Sequence, residues 1–154
     1  MKESFTMLTA VGRVKIQIEN HFLKQVELNS ASHISVPQSC FAEQVFQQIN
    51  QYFNEADFVF DLPILQQGSQ HQLKVWSVLS NILSGDVLTY GQLANSVGSC
   101  AQAVGTACRN NPLPIIVPCH RVVAATGIGG YSGEKSGLLL SIKEKLLKHE
   151  GITF

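Results

Sequence analysis

An α+β fold is predicted by three features of the chain. Short alternating apolar runs are confined to the first third, helical apolar spacing dominates from Ser69 onward, and the polar break Gln66-Gln67-Gly68-Ser69 separates the two. The expected organisation is a small sheet-plus-helix domain over residues 1–67, then a mostly helical domain over 68–154 containing a helix-turn-helix pattern.

In the first part, Phe5–Thr9, Arg13–Glu19 and Leu23–Leu28 read as strands of a meander, divided by Val11-Gly12 and Asn20-His21. Ser39 is positioned to cap a helix whose Phe41, Val45, Ile49 and Phe53 share one face. Phe58–Leu62 is a further apolar run ending before Pro63.

In the second part, Ser69 opens a predicted helix that buries Leu73, Trp76, Leu79, Ile82 and Leu83 and stops at Gly85. Thr89-Tyr90-Gly91-Gln92 fits a capping box for a short helix ending at Gly98, and Ser99-Cys100-Ala101-Gln102 fits a second. The helix after it is rich in small residues, Ala101, Ala103, Gly105 and Ala107. Such a smooth surface suits either close approach to a nucleic-acid backbone or close helix packing. The glycine-rich run 124–133 reads as a loop bearing one aromatic, Tyr131. The last helix, about Gly137–His149, is expected to bury Leu139, Ile142, Leu146 and Leu147.

Composition describes a globular chain of 154 residues, 45% hydrophobic and 14% charged. Its 11 basic and 11 acidic side chains cancel, which argues against a protein held to a polyanion by bulk charge. The balance is uneven: residues 1–68 carry four basic and seven acidic side chains, residues 69–154 seven basic and four acidic. With no long apolar segment near the N-terminus, a cytoplasmic protein with reduced cysteines is expected. No Cys-x-x-Cys pair occurs, and Cys40, His21 and His33 are read as scattered residues, not a metal site.

The chemistry concentrates in Pro118-Cys119-His120-Arg121-Val122. A thiol of ordinary pKa is mostly protonated at neutral pH and reacts as its thiolate minority, so a nucleophilic cysteine needs a base or a hydrogen-bond network. The longer run Asn111–Val123, together with Thr89-Tyr90-Gly91-Gln92-Leu93-Ala94, Gly130-Tyr131-Ser132-Gly133 and Lys143–Gly151, resembles the O6-alkylguanine-DNA alkyltransferases. These repair proteins move an alkyl group from guanine onto their own cysteine.

The resemblance implies a ribonuclease H-like N-terminal domain and a winged-helix-like C-terminal domain that is catalytic and binds DNA. It implies Cys119 as alkyl acceptor, activated through His120, a bridging water and Glu150. Tyr90 would assist proton delivery to the departing guanine, and Asn111 would brace the turn behind the cysteine. Tyr131 would stack on a flipped base, Ser132 would donate to O6, and the carbonyls of Cys119 and Val122 would accept from the exocyclic amine. Arg121 matches an arginine expected to be structural. DNA would lie along Ala101, Gln102, Ala103, Gly105 and Arg109. The implied partner is alkylated double-stranded DNA, read by a monomer with no cofactor, no metal and no membrane. The lesions would be O6-alkylguanine and O4-alkylthymine.

Two departures from the family pattern stand out. Gln102 occupies the place of the arginine that fills the stack vacated by the flipped base, and the stretch between Ser132 and Lys143 is longer than the pattern, around Glu134–Leu140. Two other readings compete. A damage-binding relative without transfer would carry tryptophan at the cysteine, but Cys119 is present. A cysteine hydrolase would need a separated base with its orienting partner, which no other motif supports.

Overall fold

The computed structural model describes residues 1–131 and 137–154, and its order of elements is α+β. Contacts divide the chain into two compact units, Met1–Gln66 and Gln67–Phe154.

In the first unit, β1 (Lys2–Thr9), β2 (Gly12–Glu19) and β3 (Phe22–Glu27) form an antiparallel meander. Glu19 pairs with Phe22 across a two-residue turn in which Asn20 and His21 both adopt positive φ, 51° and 65°. That is the mirror-type turn whose twist matches a hairpin, and asparagine tolerates it best among non-glycine residues. Alternation along β2 sends Val14, Ile16 and Ile18 to the buried face. Helix α1 (Cys40–Asn54) starts at Ser39, whose hydroxyl accepts from the Ala42 amide, and packs against β1. Its buried residues are Ala42, Val45, Ile49 and Tyr52, whereas Phe41 and Phe53 are half-buried. The apolar stripe thus runs one position off the expected line at each end.

The second unit is built on α2 (Gln70–Leu79), α3 (Tyr90–Val97), α4 (Ala101–Arg109) and α5 (Leu138–His149). A short parallel pair, β4 (Leu88–Thr89) with β5 (Val122–Val123), brings the start of α3 beside the cysteine segment. Capping boxes at Ser69/Gln72 and Thr89/Gln92 fix the starts of α2 and α3, and Gly98 ends α3 in the left-handed region.

Two expectations are corrected here. Helix α2 does not run to Gly85; it stops at Leu79 and the chain tightens into successive three-residue turns, Asn81 to Val78 and Ile82 to Leu79. Ser80 and Asn81 favour this, because their side chains bond the carbonyls of Trp76 and Ser77. Val75, Trp76, Leu79 and Ile82 are buried, while Leu73 and Leu83 are exposed. The second capping box does not form. The Ser99 amide closes the end of α3 on Ala94, so α4 begins one residue later with Cys100 as an uncapped N-terminus. The Ser99 hydroxyl meets His71 Nε2 at 2.9 Å instead.

Candidate active site

The chain reaches the thiol through a sequence of tight turns. Asn111 Oδ1 accepts from the Leu113 amide, and Asn111 Nδ2 donates to the Val117 carbonyl at 2.8 Å. Ile115 is held at φ 76°, an outlier for a β-branched residue and a local store of strain. Pro118, at φ −80° and ψ 69°, is the centre of an inverse γ-turn closed by the Cys119 amide on the Val117 carbonyl. Proline's ring favours that φ, so the turn is set before folding. A single 3-10 turn, Cys119–Arg121, then leads into β5.

This path buries Cys119 almost entirely, and its Sγ lies 3.9 Å from Tyr131 Oη. Burial pushes the thiol pKa up, while hydrogen bonds from Asn111 and Tyr131 and the charge of Lys143 pull it back. The resting group is therefore a thiol that needs a base.

A side chain with the chemistry of a base stands next in sequence. His120 is fully buried, and its Nε2 lies 2.8 Å from Glu150 Oε2. Arg121 Nε donates to Glu150 Oε1 at 2.8 Å and Nη2 to Oε2 at 2.9 Å, while Nη1 donates to the Ile82 carbonyl. That carbonyl lies in the turn just beyond α2. With the guanidinium holding both oxygens of Glu150, the carboxylate acts as acceptor and His120 Nε2 as donor, which leaves a lone pair on Nδ1. That Nδ1 is buried without a partner among the described residues. Burial also lowers the His120 pKa, keeping the imidazole neutral and able to take a proton. Glu150 is thus no solvated surface acid, although it sits at the C-cap of α5. Arg121 compensates the unfavourable helix end.

Cys119 lies at the floor of a cleft of about 210 Å³ lined by residues of α3 and α4, among them Tyr90, Gln102, Thr106 and Arg109, with Gly130 and Tyr131 opposite. A larger depression of about 280 Å³ on the sheet carries Lys2, Lys24 and Glu19, which pair with one another, and contains none of the predicted site residues. Tyr90 Oη faces the Gly130 carbonyl at 3.4 Å, and burial pushes its phenol pKa up to about 12, so it remains a proton donor. Its ring fits between two glycines: a Cβ on Gly105 would come within 3.9 Å of it, and one on Gly129 within 3.3 Å. At 3.9 Å a methyl at position 105 would make only an ordinary contact, so the tight fit is at Gly129, while Gly105 lines the cleft. Ala101, Gln102, Thr106 and Arg109 form the exposed face of α4, with Ala103 and Gly105 half-exposed. Val122 is buried beside the thiol. Ser132 lies outside the described residues, as do residues 134–136 of the Glu134–Leu140 stretch, whose remainder forms the start of α5.

One residue escaped the sequence reading. Lys143 is fully buried, and its Nζ donates to the carbonyls of Val122 at 2.7 Å and Gly130 at 2.8 Å. The signal was available: Leu139, Ile142, Lys143, Leu146 and Leu147 follow the helical spacing of a buried stripe, and a lysine within it must find acceptors.

A buried thiol, a neutral imidazole backed by a carboxylate, and a cleft open to solvent are the parts that chemistry at a cysteine nucleophile requires. Residues 70–152 match the family model described as 6-O-methylguanine DNA methyltransferase, DNA binding domain. A methylated-DNA–protein-cysteine methyltransferase of Methanosarcina acetivorans is 37% identical over 150 residues, covering 92% of this chain and 93% of that protein. The crystal structure of Mycobacterium tuberculosis O6-methylguanine methyltransferase is similar with a TM-score of 0.83 at 28% identity, covering 97% of this chain and 93% of the other. A second structure, M. tuberculosis OGT in complex with DNA, gives a TM-score of 0.81 at 29% identity over 96% and 92% of the two chains. The chain belongs to the methylated-DNA–protein-cysteine methyltransferase family, enzymes of DNA repair by alkyl transfer.

Proposed function

We propose that this protein removes alkyl groups from O6 of guanine, and from O4 of thymine, in double-stranded DNA by transferring them irreversibly to Cys119. The observation that carries the reading is the unpartnered Nδ1 of a buried, neutral His120 whose other nitrogen is fixed on Glu150, directly beside a buried cysteine. A water between that Nδ1 and Sγ completes a relay from thiol to carboxylate-backed imidazole.

An O6 carbon is out of reach inside a duplex, so the nucleotide swings out of the stack into the cleft. Sulfur then attacks the alkyl carbon in line. The S–C bond forms, the C–O6 bond breaks, and its electron pair remains on the base. The thiol proton passes into the His120 relay, and the base leaves neutral with a proton from Tyr90, whose raised pKa keeps it a donor. Asn111 holds the turn that aims the thiol, the Val122 carbonyl accepts from the exocyclic amine, and Tyr131 stacks on the base, with Ser132 donating to O6. The exposed face of α4 (Ala101, Gln102, Ala103, Gly105 and Arg109) receives the DNA backbone. The product is a thioether with no route back to the thiol, so each monomer acts once. The division near Gln66 supports reading residues 1–67 and 68–154 as separate domains, the second one catalytic.

The test is transfer of radiolabelled methyl from DNA to protein with mapping of the labelled residue. Label on Cys119 at one equivalent per chain, lost in Cys119→Ser while folding and DNA binding persist, is expected. Repeated turnover, or label on Cys108, would sink the assignment, and DNA binding without transfer would mark a damage-binding protein.

A further inference from the structure

We propose that Lys143 is a positioning residue for the reactive thiol: its buried side chain ties the two walls of the cleft together and holds a positive charge where it favours the Cys119 thiolate. The inference rests on the assignment of Cys119 as nucleophile and adds to that assignment a source of activation separate from the His120–Glu150 relay.

The geometry is specific. Lys143 projects from α5 and donates to the Val122 carbonyl, three residues after Cys119, and to the Gly130 carbonyl, next to Tyr131. Its Nζ also lies 5.8 Å from the centre of the Tyr90 ring, a cation–π distance. One ammonium thus links α5 to β5, to the glycine loop and to the start of α3. The Val122 and Gly130 carbonyls supply Lys143 with hydrogen bonds, but a buried ammonium still costs free energy that a methionine of similar length avoids, and no carboxylate among the described residues is paired with it. The buried carboxylate of Glu150 is held by Arg121 and His120.

The titratable groups facing Lys143 are Cys108 of α4, Cys119 and His120 of the 3-10 turn, and Tyr90 of α3. Burial brings the ammonium pKa down to about 8, and the two thiols, once ionised, push it back up. Reciprocally, the lysine charge lowers the pKa of both thiols. Cys108 remains high, at about 12, because its burial is not relieved by hydrogen bonds, whereas Cys119 also receives Asn111 and Tyr131. The shared charge therefore acts on the thiol that is otherwise prepared.

Thiol ionisation can be read without alkylated DNA. The rate at which iodoacetamide modifies Cys119, with the site mapped by mass spectrometry, is to be followed from pH 6 to 10 in the wild type, Lys143→Met and Lys143→Gln. Both variants are expected to lose about tenfold in rate at neutral pH, the loss closing as pH rises, which is the signature of a thiol harder to ionise. Folded variants with the wild-type pH profile would overturn the proposal. If neither variant folds, the wild type decides through the NMR titration of Lys143 Cε before and after Cys119 is blocked. A lower lysine pKa after blocking supports the coupling, and an unchanged one refutes it. Absence of methyl transfer together with the expected thiol profiles would remove the repair reading and leave the Lys143 coupling standing.

Discussion

Arg121 grips both carboxylate oxygens of Glu150, at 2.8 and 2.9 Å, and so decides what His120 can do. The two basic residues are neighbours in sequence, their acceptor is about thirty residues away, and all three side chains are buried. A guanidinium fork on a carboxylate is a strong, directional pair. It fixes Glu150 as acceptor, which fixes the His120 tautomer, which leaves Nδ1 without a partner among the described residues.

Glu150→Gln is therefore expected to harm two things at once. Transfer slows by about a hundredfold, as for lost general-base assistance, and the defect shrinks as pH approaches the thiol's own ionisation. Arg121 is also left as a buried charge without its partner, at a cost of about 3–5 kcal/mol measured by urea unfolding. A variant of wild-type stability with a pH-independent rate defect would contradict the linked roles.

Acid should destabilise the protein through His120. Its folded pKa lies below the ordinary 6.5, so the unfolded chain binds the proton first as pH falls. Stability from this group is present above pH 6.5 and is lost progressively below it. Urea midpoints measured between pH 7.5 and 5 should fall, and His120→Gln should flatten that dependence. If the slope is unchanged in the variant, other groups govern the acid limb.

Asn111→Ala removes the donor to the Val117 carbonyl and the acceptor of the Leu113 amide. A loss of about 1–3 kcal/mol in stability is expected from the buried polar groups left without partners. The transfer rate should fall further than stability accounts for, because the turn that aims Cys119 loosens and a thiol hydrogen bond disappears with it. An unaltered single-turnover rate in the folded variant would show that the proline turn suffices alone.

Gln102→Arg should speed repair of duplex DNA and steepen its salt dependence, while hardly changing reaction with a free alkylated base. Gln102 is exposed and takes no part in a capping box, so the substitution breaks no cap. A longer charged side chain fills a vacated stack better and meets phosphate. Native salt dependence is expected to be shallow. Of the basic residues in the second half, Arg121 and Lys143 are buried, so fewer face a polyanion than the sequence count implies. Equal duplex rates for both proteins would assign the wedge to another residue.

Much of this molecule is legible from sequence because its signals are local. Period-two alternation places Val14, Ile16 and Ile18 inward whatever the rest does, and Thr89 with Gln92 caps α3 within four residues. The cysteine segment is likewise legible as chemistry, since Pro118 sets its own dihedral and the motif residues are contiguous. Three matters were not legible, two because competing local turns settle them and the third because tertiary packing does. Ser99 could cap α4 or close α3, and the left-handed Gly98 turn chose the second. Helix α2 could have run on to Gly85, but it ends at Leu79, and the carbonyl of Ile82 in the turn beyond it accepts from Arg121. Lys143 reads along the chain as an ordinary helix charge, and Glu150 is set apart only by the family resemblance. Only the docking of α5 onto the 3-10 turn and β5 buries them against Arg121, Val122 and Gly130. Burial and partner choice are properties of the assembled core, where desolvation makes each charge costly unless a distant segment meets it.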